Sequence, residues 1–254
     1  MKLRILGSGT SSGVPRIGPD WGACDPDEPR NRRTRASLLV EHDGFRLLID
    51  TSPDMREQLN AAQVPAVNAV IWTHDHADHC HGIDDLRQVF HSLGHPVPCY
   101  ARPQVLASLE DRFGYLFSGR PGYPPVIKPM ALPDRLTLGG VAISTVDQPH
   151  GRTTSVGLRF DVQGKGAAYA TDFHELTQAM RALYTGLDLW IVDALRDAPH
   201  PSHPTVEAVR GWIAELQPAQ AALIHMDHSL DYRALAVTLP QGVVPGHDGL
   251  EYLL

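Results

Sequence analysis

Residues 68–81 read NAVIWTHDHADHCH, and no other stretch of this 254-residue chain constrains its fold as tightly. The apolar lead at 69–72 has the length and composition of a buried strand. His74, His76, Asp78 and His79 follow it within six positions. In open α/β sheets ligands collect just beyond the carboxyl ends of strands, so this order of residues predicts a site at a sheet edge. Two apart in an extended segment, His74 and His76 point the same way, while Asp78 and His79 turn back from the start of a following helix. Imidazole and carboxylate suit zinc, manganese or iron, and two ligand pairs side by side fit two ions better than one.

The second half of the chain repeats that placement. An alternating strand at 141–146 runs into DQPHG and sets His150 beyond its end. Strands at 166–170, 187–192 and 221–224 run into Asp172, Asp193 and His225. Ligand-type residues delivered by several strand ends are how a rigid sheet presents a site. In the first half, 1–6 is a strand followed by the turn GSGTSSG, which lacks the Gly-Lys-Ser/Thr ending of a phosphate loop and reads as close backbone approach. A hairpin is expected from 37–41 and 45–50, with helices at 54–61, 82–93, 104–113 and 205–216. Residues 115–130, rich in Gly, Pro and aromatics, read as a rigid loop serving as a lid over substrate or a dimer contact.

Composition narrows the class. A net charge of −7 with scattered arginines argues against a protein that coats nucleic acid. Three irregularly spaced cysteines give no disulfide framework, and MKLRILGSGT has no signal-peptide core. No apolar run approaches the roughly 18 residues of a membrane span. The expectation is a soluble cytoplasmic protein whose residues 1–254 form a single domain.

HDHADH at 74–79 resembles the HxHxDH signature of the metallo-β-lactamase superfamily, whose fold is a four-layer αββα sandwich of two mixed β-sheets flanked by helices. GSGTSSGVP at 7–15, PRNRRTRAS at 29–37 and GIDDLR at 82–87 resemble the branch containing phosphoribosyl cyclic phosphate phosphodiesterase. The resemblance covers essentially the whole chain. It implies one divalent ion, zinc or manganese, on His74, His76 and His150, a second on Asp78, His79 and His225, and Asp172 bridging both. Asp50, closing the strand in LLIDTSPD, takes an orienting role toward a ligand histidine.

The implied chemistry is hydrolysis of small cyclic or linear phosphodiesters, with Asp78 counted among the catalytic groups. Substrate contacts fall to Arg87, held by Asp84 or Asp85, and to Arg33 and Arg35, which read equally well as solvated or internally paired. His203 in PHPSHPT is the proton donor expected for the leaving alkoxide, with His200 in reserve. Relatives in this branch carry three cysteines in the 17–29 loop that hold a structural zinc with a later histidine, here His228. This chain keeps only Cys24 there, so no third structural zinc is expected. The partner expected is a small phosphodiester, without membrane or nucleic acid, and a homodimer stays open. Lactamase, thioesterase and transfer-RNA nuclease chemistries fit less well. The alternative is a cofactor-biosynthesis accessory or carrier protein resembling the pyrroloquinoline quinone accessory protein, or another metallohydrolase.

Overall fold

Apolar residues in the strands alternate between two faces, and both faces are buried. That pattern forces a layered architecture, because each sheet face must meet another element. A computed structural model describes residues 1–254. The chain first lays down β1 (Lys2–Gly7), β2 (Ser37–His42), β3 (Phe45–Ile49), β4 (Ala69–Ile71), β5 (Val97–Ala101) and β6 (Ile127–Ala131). It then builds a second sheet from β7 (Arg135–Leu138), β8 (Val141–His150), β9 (Thr153–Val162), β10 (Lys165–Ala170), β11 (Leu189–Asp193), β12 (Gln220–Ile224) and β13 (Val243–Pro245). The last strand, β14 (Glu251–Leu253), returns to the first sheet and pairs with β1. Each sheet has seven strands, ordered β14-β1-β2-β3-β4-β5-β6 and β13-β12-β11-β10-β9-β8-β7.

Three apolar cores give four layers. Leu3, Ile5, Leu47, Ile49 and Ile71 of the first sheet face Ile143, Phe160, Tyr169, Ile191 and Ile224 of the second. The alternate residues Leu48 and Val70 pack outward with residues of helices α1 (Met55–Ala61), α3 (Leu86–Leu93) and α4 (Pro103–Ser118). On the opposite face Trp190, Val192 and Leu223 meet α5 (Gln178–Tyr184), α6 (Val206–Leu216) and α7 (Tyr232–Ala236). The short α2 (Ala77–Cys80) belongs to the ligand stretch itself. This is the αββα sandwich expected from the motif resemblance.

Strand direction gathers the site. β3 through β6 are parallel, as are β10 through β13, so their carboxyl ends share an edge. Two antiparallel steps, β8 to β9 and β9 to β10, bring β8 into the same direction as β10. The same argument aligns β1 with β3, which puts the Gly7–Ser8–Gly9 turn at that edge. A Cβ on Gly7 would collide with the Arg35 carbonyl, and Ser8 accepts the N–H of Met226, next to His225, at 3.1 Å. The turn is a close-approach device, as its sequence suggested.

Several boundaries differ from the sequence reading. β8 continues through DQP, and His150 is its last residue rather than lying beyond it, because the segment stays paired with β9 up to His150 opposite Thr153. The 115–130 stretch is not one loop: Leu116 and Phe117 are buried as α4 runs on to Ser118, and Ile127 opens the edge strand β6. Burial there overrides the Gly and Pro composition, leaving 119–126 as the turn. The edge strands β7, β13 and β14, of four, three and three residues, were too short to be seen.

Candidate metal centre

Each ligand-type side chain is delivered by a strand end or the turn after it. β4 stops at Ile71, and three residues later His74 projects from the extended link. His76 is the N-cap of α2, whose first turns carry Asp78 and His79. His150 closes β8, Asp172 follows β10, and His225 follows β12. Asp50, Asp172 and His225 all have left-handed backbone, with φ of 64°, 55° and 58°. Non-glycine residues seldom adopt this conformation, and it turns each chain sharply as it leaves its strand.

Three groups of ligand-type atoms result, each with its members within 4.8 Å of one another: His74, His76, His150 and Asp172; Asp78, His79, Asp172 and His225; and, sharing only His225 with the second, Asp193, His203 and His225. Asp172 belongs to the first two, and its two oxygens divide between them. Oδ1 lies 3.8 Å from His74 Nε2 and 3.6 Å from His150 Nε2, while Oδ2 lies 3.0 Å from His79 Nε2 and 3.5 Å from His225 Nε2. Asp78 Oδ2 adds contacts of 3.2 Å to His79 and 3.4 Å to His225. Nε2 of His74 and Nε2 of His79 are buried with no hydrogen-bond partner. Buried polar atoms are ordinarily satisfied, so this orphaned pair and an all-imidazole and carboxylate donor set fit two divalent ions.

Supporting hydrogen bonds fix the rings. Asp50 is fully buried and its Oδ2 accepts from His79 Nδ1 at 2.7 Å, while Thr73 gives it a backbone N–H at 2.7 Å and a hydroxyl at 2.8 Å. His150 Nδ1 meets the Ser202 carbonyl at 2.9 Å, which leaves Nε2 on the ligand side. Such partners set tautomer and orientation of metal-binding histidines. Burial opposes charge on His225, yet Asp172 and Asp193 carry its pKa up to about 9. Burial and then the neighbouring His79 drive His74 the other way, well below the usual histidine range. Burial alone would raise Asp172, but His225 and His79 hold it well down, so the shared carboxylate stays ionised.

His203 stands at the rim of this cluster. Its Nδ1 is 2.7 Å from Asp193 Oδ2, its Nε2 is 3.8 Å from Asp172 Oδ1, and its ring stacks on His225 at 4.7 Å. His200 lies beside it, with ring centroids 5.0 Å apart, and has only Ser202 near its Nδ1.

Residues 45–226 match the β-lactamase superfamily domain. A solved diphosphatase from the PhnP family is 35% identical and superposes with a TM-score of 0.91, over 99% of this chain and 96% of that one. This chain belongs to the PhnP family. The octanoyltransferase of Porphyromonas gingivalis is 34% identical over 262 residues, covering all of this chain but 52% of that protein, so the chain spans about half the length of this curated relative. Zinc-bound PqqB from Methylobacterium extorquens shares the fold, with a TM-score of 0.80 at 22% identity over the full length of both chains. The PhnP-family fold and the ligand clusters together fit a metal-dependent hydrolase. No helix is long and apolar enough to cross a membrane.

Three substrate expectations fare differently in this PhnP-family member. Arg33 is corrected: it is buried at 1% exposure and gives its guanidinium to the carbonyls of Asp227 at 3.0 Å and Leu230 at 2.6 Å and to Asn31 at 3.2 Å. It is an internal strut, and its one unpaired donor, Nε, is buried. Arg35 is half-buried and paired with Asp54 at 3.2 Å, the internal salt bridge that its sequence equally allowed. Arg87 is exposed and lines a cavity that contains none of the ligand residues. Asp84, expected to hold it, instead accepts the Tyr115 hydroxyl at 2.8 Å.

In the 17–35 loop, the Cys24 thiol lies 3.4 Å from the carbonyls of both His228 and Leu230, and Arg33 Nη1 is 4.0 Å away. Burial raises the pKa of this thiol above its ordinary value. Sequence reasoning missed the part played by Asp193, although its place at the end of LWIVD matched that of the other strand-end acids. It also missed Thr73 and Ser202, whose roles rest on a hydroxyl and a carbonyl that carry no motif.

Proposed function

We propose that this PhnP-family chain hydrolyses small phosphodiesters, cyclic or linear, and that residues 1–254 work as one hydrolase domain. A phosphoribosyl cyclic phosphate is one substrate of this class. The observation that carries the reading is the division of the Asp172 carboxylate between two ligand groups, with a buried acid–imidazole pair beside it. His74, His76 and His150 would hold one ion, Asp78, His79 and His225 the other, and Asp172 both. Two divalent ions supply Lewis acidity toward phosphoryl oxygens and lower the pKa of water at neutral pH.

The remaining steps fall to the chain itself. Asp50, fixed by Thr73, holds His79 by Nδ1, and the Ser202 carbonyl holds His150 in the same way, so the ligand nitrogens need no reorganisation when substrate arrives. Asp193 accepts from His203 Nδ1 and thereby leaves Nε2 facing Asp172. That nitrogen can deliver a proton to a departing alkoxide, the role an acid–imidazole pair performs in other hydrolases. The deciding experiment is a panel of cyclic ribose phosphates, cyclic nucleotides, linear diesters and diphosphate diesters, offered to protein reconstituted with zinc or manganese. Metal-dependent turnover of at least one class is expected. Silence across the panel, with both ions bound, would refute the reading.

A further inference from the structure

The stretch that carries the ligands continues into a feature the hydrolytic centre does not use. Ser108 and Arg112 of α4, and Tyr115 beyond the kink at Phe113, grip that stretch: the Ser108 hydroxyl donates to the Asp75 carboxylate, Arg112 to the Asp75 carbonyl at 2.8 Å, and Tyr115 to Asp84 at 2.8 Å. Asp75 stands between His74 and His76. α4 bends at Phe113, whose φ of −127° and ψ of 30° are not helical, between its contacts to Asp75 and the contact from Tyr115 to Asp84.

At Tyr115 a cavity of about 280 Å³ opens, lined also by Arg87, Arg120 and Tyr123 over an apolar floor of Leu116 and Val126. The guanidinium of Arg120 lies 4.9 Å over the Tyr115 ring, and that of Arg87 is 5.8 Å from the Tyr123 ring. Neither arginine pairs with a carboxylate, whereas Arg102, Arg112 and Arg181 do. In a chain of net charge −7, two exposed arginines without carboxylate partners converge on this cavity and give it a positive potential. The wall that presents them is a formed turn. Arg120 and Tyr123 exchange both backbone hydrogen bonds at 2.8 Å across Pro121 and Gly122, whose φ of +81° a side chain would resist.

We infer that this cavity binds a phosphate-bearing aromatic group, of the nucleotide kind, as the half of the substrate distal to the scissile bond. Arginine matches phosphate oxygens bidentately, and the exposed Tyr123 ring offers a face on which a flat base can stack. The assignment rests on the reading of the ligand cluster as a phosphodiester-hydrolysing centre, but the cavity is testable without it.

The test is calorimetric titration of chelator-treated, metal-free protein with 5′-AMP, and with ribose 5-phosphate as the probe lacking a base. AMP should bind with Kd on the order of 0.1 mM, and ribose 5-phosphate about tenfold more weakly. R87A/R120A should weaken both by about tenfold or more, and Y123A should weaken AMP alone. These are exposed positions, so circular dichroism should report the parent fold in both variants. Failure of metal-free protein to bind AMP, or unchanged binding by R87A/R120A, overturns the inference. Diester turnover without AMP binding would discard the cavity and leave the hydrolytic centre standing. AMP binding that depends on Arg87 and Arg120, with no diester hydrolysed, would do the reverse.

Discussion

Asp193 Oδ2 accepts from His203 Nδ1 at 2.7 Å and from the backbone N–H of Asp172 at 3.1 Å. One buried carboxylate therefore sets the distance between His203 and Asp172, the residue shared by two of the ligand groups. His203 does not wander relative to the bridge, and its placement depends on a side chain ten positions earlier in the chain.

His203→Ala should keep both ions, since His203 lies outside the two ligand groups that share Asp172, yet slow a diester with a poor alkoxide leaving group by roughly 10²- to 10⁴-fold. An aryl diester, whose leaving group hardly needs a proton, should lose far less. Equal losses on the two substrates with metal content intact would reject the acid role. A selective loss in His200→Ala alone would transfer it to His200.

Asp193→Asn is expected to lower kcat by about 10- to 100-fold with KM little changed, because the amide can present an N–H where His203 needs an acceptor. A variant with the parent kcat would mean that Asp193 only packs the core.

Asp172→Asn should lose metal and turnover together. A neutral amide cannot balance two divalent ions as a carboxylate does, and it would replace one acceptor with a donor aimed at ligand nitrogens. Elemental analysis showing two ions per chain in an active variant would remove Asp172 from the bridge.

Arg33→Ala should be read by thermal melting before kinetics. It strips the donor from two buried carbonyls and from Asn31, a loss of about 2–4 kcal/mol, and should lower Tm by several degrees. KM of the folded fraction should be unchanged. A raised KM at parental Tm would restore the phosphate-clamp role that the structure denies it.

Glu28 gives an acid-side test. Hydrogen bonding from Arg30 outweighs burial, and with the Arg30 N–H and Arg233 it holds the carboxyl at about 2, below its ordinary value of 4.5. A depressed folded value means its stabilisation is complete above about pH 4.5 and disappears as pH falls toward 2. Glu28→Gln should therefore melt below the parent at pH 7, with the difference closing between pH 4.5 and 2. A gap that stays constant across that window would assign the effect to shape rather than charge.

What the sequence disclosed about this site follows from range. His74, His76, Asp78 and His79 are adjacent, so strand propensity and a six-residue spacing suffice to predict their company. His150, Asp172 and His225 needed one further inference, that strand ends in such sheets converge, and the parallel registers supply it. The arginines misled because a phosphate-binding guanidinium and a structural one look alike in sequence. Only the carbonyls of Asp227 and Leu230, nearly 200 positions away from Arg33, distinguish them. The loop at 115–130 was misjudged for a similar reason: Leu116 and Phe117 find their burial against residues that local composition does not show.

The left-handed turns at Asp50, Asp172 and His225 bear on how this centre could be moved or lost. Each holds a residue with a Cβ where glycine would rest more easily, at a standing cost of about 1–3 kcal/mol per position in the absence of compensation. Random variation screened only for thermal stability, in medium stripped of divalent ions, would feel this strain without feeling the metal, and would put no pressure on keeping the ligands. Transplanting the seven side chains onto a relaxed α/β framework should fail for the mirror reason: the bends that aim them would be left behind.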